Sequence, residues 1–326
     1  MSTRSYDFGS AVFHFFHIAG KKPVAVLWIA LWQALLMGGL AYLAWMAFGD
    51  FYIWMIQTAM SGVEPDETEI INRMSSMMSL SPLVTIGGIA VSLMAQAAWL
   101  RLLTRQEMAP IIPFRIGGDE LHLFVTNLGL IAIGVGFYFA SMLVLVIFGV
   151  SAAVAFSGGG DAGSGMTAGL IIGAGVLALI GIAVFVAVRV SAAPALSVLE
   201  KRIAFPSWGA TKGVFWPVLG SYFVLAIVLA VLSSIVGLLI NFAFLGALWP
   251  TLSEFFTMAQ SGQELDPEEV LAVLSESFSS TGTITTLVSV GLLSVLLRSI
   301  VDGIWHGVGA YTALSTQPVA APTETD

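Results

Sequence analysis

Residues 214–248 read VFWPVLGSYFVLAIVLAVLSSIVGLLINFAFLGAL, an unbroken stretch without one charged side chain. A helix needs about 20 apolar residues to cross the hydrocarbon core of a bilayer. A membrane β-barrel would instead show short segments alternating apolar and polar positions. Comparable runs occupy about 23–48, 82–104, 125–156, 166–199 and 282–312. The expectation is an all-α, polytopic membrane protein of six transmembrane helices. Several runs exceed the minimum length, which implies tilt or continuation into the interface.

Composition points the same way. Of 326 residues, 57% are hydrophobic and only 10% charged, against about 25% charged in ordinary soluble domains. Mean hydropathy is +0.93. Lipid must cover surface that charged groups would otherwise carry. The chain has no cysteine, which excludes disulfides, thiolate metal sites and cysteine nucleophiles. It lacks the basic footprint of a nucleic-acid binder.

The net charge of -8 conceals a sorting by side. Arg4, Lys21 and Lys22 precede the first run; Arg101, Arg105 and Arg115 separate the second from the third. Arg189, Lys201, Arg202 and Lys212 lie between the fourth and fifth, and Arg298 lies near the end of the sixth. Only Arg73 falls on the other side, where Asp50, Glu64, Asp66, Glu67, Glu69, Asp161, Glu254, Glu264, Asp266, Glu268, Glu269 and Glu276 collect. Basic loops stay in the cytoplasm, so both termini are expected there. The acidic face reads as solvated loop or as a docking or cation-attracting surface. The first run is too long for a cleaved signal. Residues 316–326 read as a disordered tail after a single membrane domain over 1–315.

A spacing G-x5-F-x4-G recurs before each odd-numbered run: Gly9, Phe15, Gly20; Gly118, Phe124, Gly129; Gly209, Phe215, Gly220. The surrounding segments mix apolar and polar residues, as interfacial helices do. Glycines eleven apart share a helix face and admit a close neighbour, with the Phe turned to the acyl boundary. Ser61, Gly62, Glu64, Asp66 and Glu69 recur, 200 residues on, as Ser261, Gly262, Glu264, Asp266 and Glu269. This D-x-x-E looks like a metal loop, but an Asp N-cap with a Glu capping box explains it better. Each large outer loop is then a helical hairpin turning at Ser-Gly. The chain divides into parallel hairpin repeats, 1–108, 109–199 and 200–315.

Polar groups inside spans are the remaining candidates for function. Arg101, Arg189 and Arg298 fall near the inner ends of runs two, four and six. They either snorkel to phosphates or form an inward anionic site for a lipid headgroup or small anion. Asp302, four residues after Arg298, offers that arginine a simpler partner. Gln33, Gln96 and Asn241 are expected to hydrogen-bond between helices. No Asp or Glu is placed mid-span, which sets a carboxylate proton relay aside. Gly165, Gly169 and Gly173 form a GxxxGxxxG packing face, within the chain or between copies. His14 and His17 lack a third ligand, and no triad, P-loop or dinucleotide fingerprint is present. No catalytic residue, metal or cofactor is expected.

The segments FRIGGDELHLFVTNLG and FPSWGATKGVFWPVLG, with the exit RVSAAP, resemble a bacterial six-helix membrane domain. That domain is fused to some glycerophosphodiester phosphodiesterases and also stands alone. The phosphodiesterase chemistry belongs to a soluble barrel for which this chain has no room. The resemblance implies a module of the bacterial inner membrane near lipid metabolism or envelope maintenance. The expectation is a non-catalytic scaffold or lipid-interacting accessory protein, with membrane lipids, another membrane protein or a second copy as partner. A transporter or channel for a small anion or lipid is the alternative.

Overall fold

The apolar runs form six long helices, with short ones clustered at one end. The structure, a computed structural model, describes residues 5–61, 65–109, 111–157, 162–204, 207–260, 272–273, 276 and 280–317. The helices are α1 (Phe8–Val12), α2 (His14–Lys21), α3 (Pro23–Ser61), α4 (Glu67–Arg105), α5 (Gly118–Ser157), α6 (Ala162–Val190), α7 (Ala193–Leu199), α8 (Phe215–Gln260) and α9 (Thr281–Ser315). A 3-10 turn covers Ser207–Gly209. Among the described residues there is no strand. Six of these helices are long and apolar enough to cross a membrane: the chain is a multi-pass, all-α membrane protein.

The spanning helices are longer than a bilayer requires. At 1.5 Å per residue, the 39 residues of α3 extend about 58 Å, nearly twice a hydrocarbon core of ~30 Å. Both sides of the first outer loop accordingly continue α3 and α4, and its expected turn at 62–64 lies outside the described residues. Asp66 caps α4 from an extended backbone, its side chain accepting from the Thr68 N–H at 3.3 Å. Glu69 completes no capping box; its carboxylate instead holds Arg73, four residues on, at 3.0 Å. The matching motif at 261–271 and the tail at 318–326 lie outside the described residues.

Packing is unequal among the three hairpins α3–α4, α5–α6 and α8–α9. Helix α9 lies against both α3 and α4, whereas the middle hairpin meets its neighbours mainly through α7 and the start of α5. In their most apolar windows, 33% of the residues of α3 and of α4 are buried, against 0% in α5 and 6% in α6. Burial concentrates at the basic end, where Phe15, Ile29, Trp99, Leu103, Leu123, Val198, Leu225 and Val308 form one core. Towards the acidic end the side chains face outward; Trp45, Phe139, Leu177 and Leu239 are each at least 60% exposed. In lipid such exposure costs nothing, because acyl chains are as apolar as leucine. Water exclusion therefore cannot close the acidic end of the bundle, and specific side-chain fits hold the basic end.

The N-terminal segment is one of those fits. Asp7 caps α1, accepting from the Ser10 N–H at 2.6 Å, and the Ser10 hydroxyl, together with that N–H, holds its carboxyl below the usual range. The chain breaks at Phe13, and α2 then lays Phe15 against Trp99, ring centroids 5.9 Å apart. His14 Nε2 meets the Leu103 carbonyl at 2.9 Å, so the neutral ring donates there. Burial lowers the His14 pKa, more than the Leu103 bond raises it, and the nearby His17 lowers it further. A depressed folded pKa means the neutral form is favoured on docking, so this contribution is complete above the unfolded value of about 6.5 and fades as pH falls towards the folded value. The protection factors of α1 and α2, taken relative to the intrinsic exchange rate at each pH, should therefore fall on acidification below about pH 6.5, and His14→Gln should remove that fall.

The recurring G-x5-F-x4-G spacing does not recur as one local structure. Its first copy straddles α1 and α2, its second lies wholly within α5, and its third runs from the 3-10 turn into α8. Phe15 is 3% exposed. It turns into the core instead of towards acyl chains because Gly303 and Gly307 leave room for it on α9. Phe124 stays 38% exposed, and Phe215 stacks near Phe185 at 5.4 Å. Of the repeat glycines, Gly220 has a close neighbour, Phe8, 3.2 Å from where a Cβ would sit.

Candidate functional site: a two-chambered cavity in the bundle

The amide of Gln33, buried on α3, is the hub of a polar network. Its Oε1 accepts from Trp99 Nε1 of α4 at 3.0 Å and from Ser299 Oγ of α9 at 2.6 Å. Its Nε2 donates to Asp302 Oδ2 at 3.1 Å. Two donors on the oxygen and one acceptor on the nitrogen fix the amide orientation. Three helices that would otherwise slide in lipid are thereby locked in register. The other carboxylate oxygen of Asp302 pairs with Arg298 Nε at 3.2 Å, one turn back on α9. Arg298 is 75% exposed there, while Asp302 is 32% exposed. The pair with Arg298 is the one expected from sequence, and Asp302 in addition joins the polar network of Gln33.

This network borders a chamber of about 210 Å³ lined by Gln33, Ser92, Gln96, Trp99, Asp302 and His306. A second chamber, about 450 Å³, is lined by apolar groups that include Leu100, Val184, Val188, Leu219 and Trp305. Gln96 and His306 belong to both linings. Gln96 Oε1 accepts from Asn127 Nδ2 of α5 at 2.7 Å, bringing the middle hairpin to the same place. Among the described residues no hydrogen-bond partner is found for the His306 ring. Of the three polar residues expected to bond between helices, Gln33 and Gln96 do so. Asn241 bonds within its own helix, to the Gly237 carbonyl at 2.7 Å.

Arg101, Arg189 and Arg298 meet three different sets of partners. Arg101 is 4% exposed. It reaches Glu120 at the start of α5, and its other nitrogen donates to the Pro113 carbonyl at 3.0 Å. Asp119 lies 3.7 Å from Arg101 and also pairs with Arg105 and, at 3.5 Å, with Arg115. Both acids occupy the first turn of α5, where the helix dipole favours them. This cluster ties the end of α4 to the start of α5. Arg189 lies over the Phe185 and Phe215 rings, 5.2 and 5.7 Å from their centroids, and its Nη1 donates to Thr211 at 3.3 Å.

Within the chain, the expected packing stripe has little to pack against. A Cβ at Gly169 or Gly173 would meet nothing within 4 Å, and the side-chain surroundings of Gly165 lie outside the described residues. Close approach occurs on α9 instead. A Cβ at Gly303 would come within 2.9 Å of both Phe15 and Trp99. One at Gly309 would come within 2.9 Å of the Ser191 carbonyl oxygen and 3.1 Å of the Tyr222 hydroxyl. The sequence did hold a signal for this, since Gly303 and Gly307 stand at the small-xxx-small spacing.

The fold and its interior define a multi-pass helical membrane protein with a polar and an apolar chamber side by side. No protein-family model matches the chain, and no curated protein and no solved structure matches it either.

Proposed function

We propose that this protein is a non-catalytic, lipid-binding accessory or scaffold protein of the bacterial inner membrane, with both termini in the cytoplasm. The observation that carries the reading is the pair of chambers meeting at Gln96 and His306. A polar space beside an apolar one, with Gln96 and His306 in both linings, suits the two ends of an amphipath. The sequence resemblance to the membrane domain associated with glycerophosphodiester phosphodiesterases agrees with a place near lipid metabolism. The anion-transport alternative draws no support from the arginines, whose partners differ and which converge on no common space.

The reading is tested by native mass spectrometry of the detergent-purified protein. Lipid should stay bound through delipidating washes, and Ala187→Phe, at the exposed rim of the apolar chamber, should lose it while remaining folded. A wild-type protein that emerges free of lipid sinks the proposal.

A further inference from the structure

From the lining of the polar chamber we infer that the bound lipid carries an ammonium headgroup, recognised by Asp302; the inference rests on the lipid-binding reading above. The chamber is lined by one carboxylate, the neutral donors and acceptors of Gln33, Gln96, Ser92 and Trp99, and the imidazole of His306. Among the described residues no lysine or arginine lines it. An anionic headgroup there would meet Asp302 with no countercharge inside the chamber, whereas an ammonium meets a carboxylate and several acceptors.

The network prepares Asp302 for this role. Gln33 holds Oδ2 at 3.1 Å, and Gln33 itself is fixed by Trp99 and Ser299. A carboxylate oxygen accepts more than one hydrogen bond, so Oδ2 keeps capacity for a donor within the chamber. Arg298 engages Oδ1 from the exposed side. It competes with a bound ammonium without entering the chamber. His306 lies one turn beyond Asp302 on α9, and its unpartnered ring offers the headgroup a further contact at the junction of the two chambers. Acyl carbon then continues past Gln96 towards Leu100, Val188 and Leu219.

Competitive lipid binding read by native mass spectrometry tests this, with phosphatidylethanolamine and phosphatidylglycerol of matched chains. The wild-type protein should prefer the ethanolamine lipid by about tenfold, the usual scale of one charge-assisted hydrogen bond. Asp302→Asn should bring the ratio near one. Arg298→Gln, an exposed change that spares the fold, should raise the ratio severalfold by removing the competitor, and it decides the matter even if Asp302→Asn does not fold. Equal binding of the two lipids by the wild type, an unchanged ratio in Asp302→Asn, or a lowered ratio in Arg298→Gln overturns the inference while leaving lipid binding in place. Absence of any bound lipid overturns both. Free ethanolamine should displace the lipid poorly; displacement as efficient as that by the whole lipid would overturn the role given to the apolar chamber.

Discussion

Arg101→Met should destabilise the protein by about 3–5 kcal/mol, the range seen when one partner of a buried ion pair is removed. Glu120 would then sit 3% exposed at the end of the bundle without its cation. Asp119 would still hold Arg105 and Arg115, so the loss falls on Glu120 and on the abandoned Pro113 carbonyl. Pairing Arg101→Met with Glu120→Leu should recover much of the loss, because no buried charge is then left alone. Arg298→Gln should change stability by less than about 1 kcal/mol, since its pair with Asp302 is exposed on the arginine side. Unfolding of the three variants in mixed micelles checks this. Equal losses for Arg101→Met and Arg298→Gln would show that the buried cluster carries no special weight.

The second large effect is expected on α9. Gly303→Ala places a Cβ 2.9 Å from both the Phe15 and Trp99 rings, and these rings pack against each other with little freedom to withdraw. Overpacking of this kind costs about 1–3 kcal/mol. Trp99 also donates to Gln33, so any shift of its ring disturbs the wall of the polar chamber, and lipid retention should fall with stability. Gly169→Ala and Gly173→Ala provide the contrast. They meet open space and should be neutral, or stabilising by up to about 1 kcal/mol through helix propensity. Thermal unfolding of the three alanine variants separates the outcomes; a cost at Gly173 equal to that at Gly303 would point to a partner covering α6.

These contrasts also mark where the sequence could be read and where it could not. The six spans were legible because membrane crossing is a one-dimensional property: a run of apolar residues of sufficient length reveals itself without any knowledge of its neighbours. The Asp66 cap and the Arg298–Asp302 pair were legible for the same reason, since each partner lies within one helical turn. Arg101 shows the limit. Its partners lie 18 and 19 residues away, beyond a proline-containing linker, and Gln33 meets Asp302 across 269 residues. Such partners are chosen by how hairpins dock, which periodicity does not encode. The regular G-x5-F-x4-G spacing misled in the opposite direction. Equal spacing implied equal structure, yet the three copies fall on a broken helix, a spanning helix and a 3-10 turn. The hairpins themselves are unequal, because α9 alone carries the glycines that admit α2.

The most direct test of a lipid seated between the two chambers is a cryo-electron microscopy map of the protein in nanodiscs containing phosphatidylethanolamine. The expected map shows an elongated density whose head lies beside Asp302 and His306 and whose tail passes Gln96 to lie against Leu100, Val188 and Leu219. A map with the network of Gln33, Trp99 and Ser299 intact, but with both chambers empty of lipid density or closed by side chains, would contradict it.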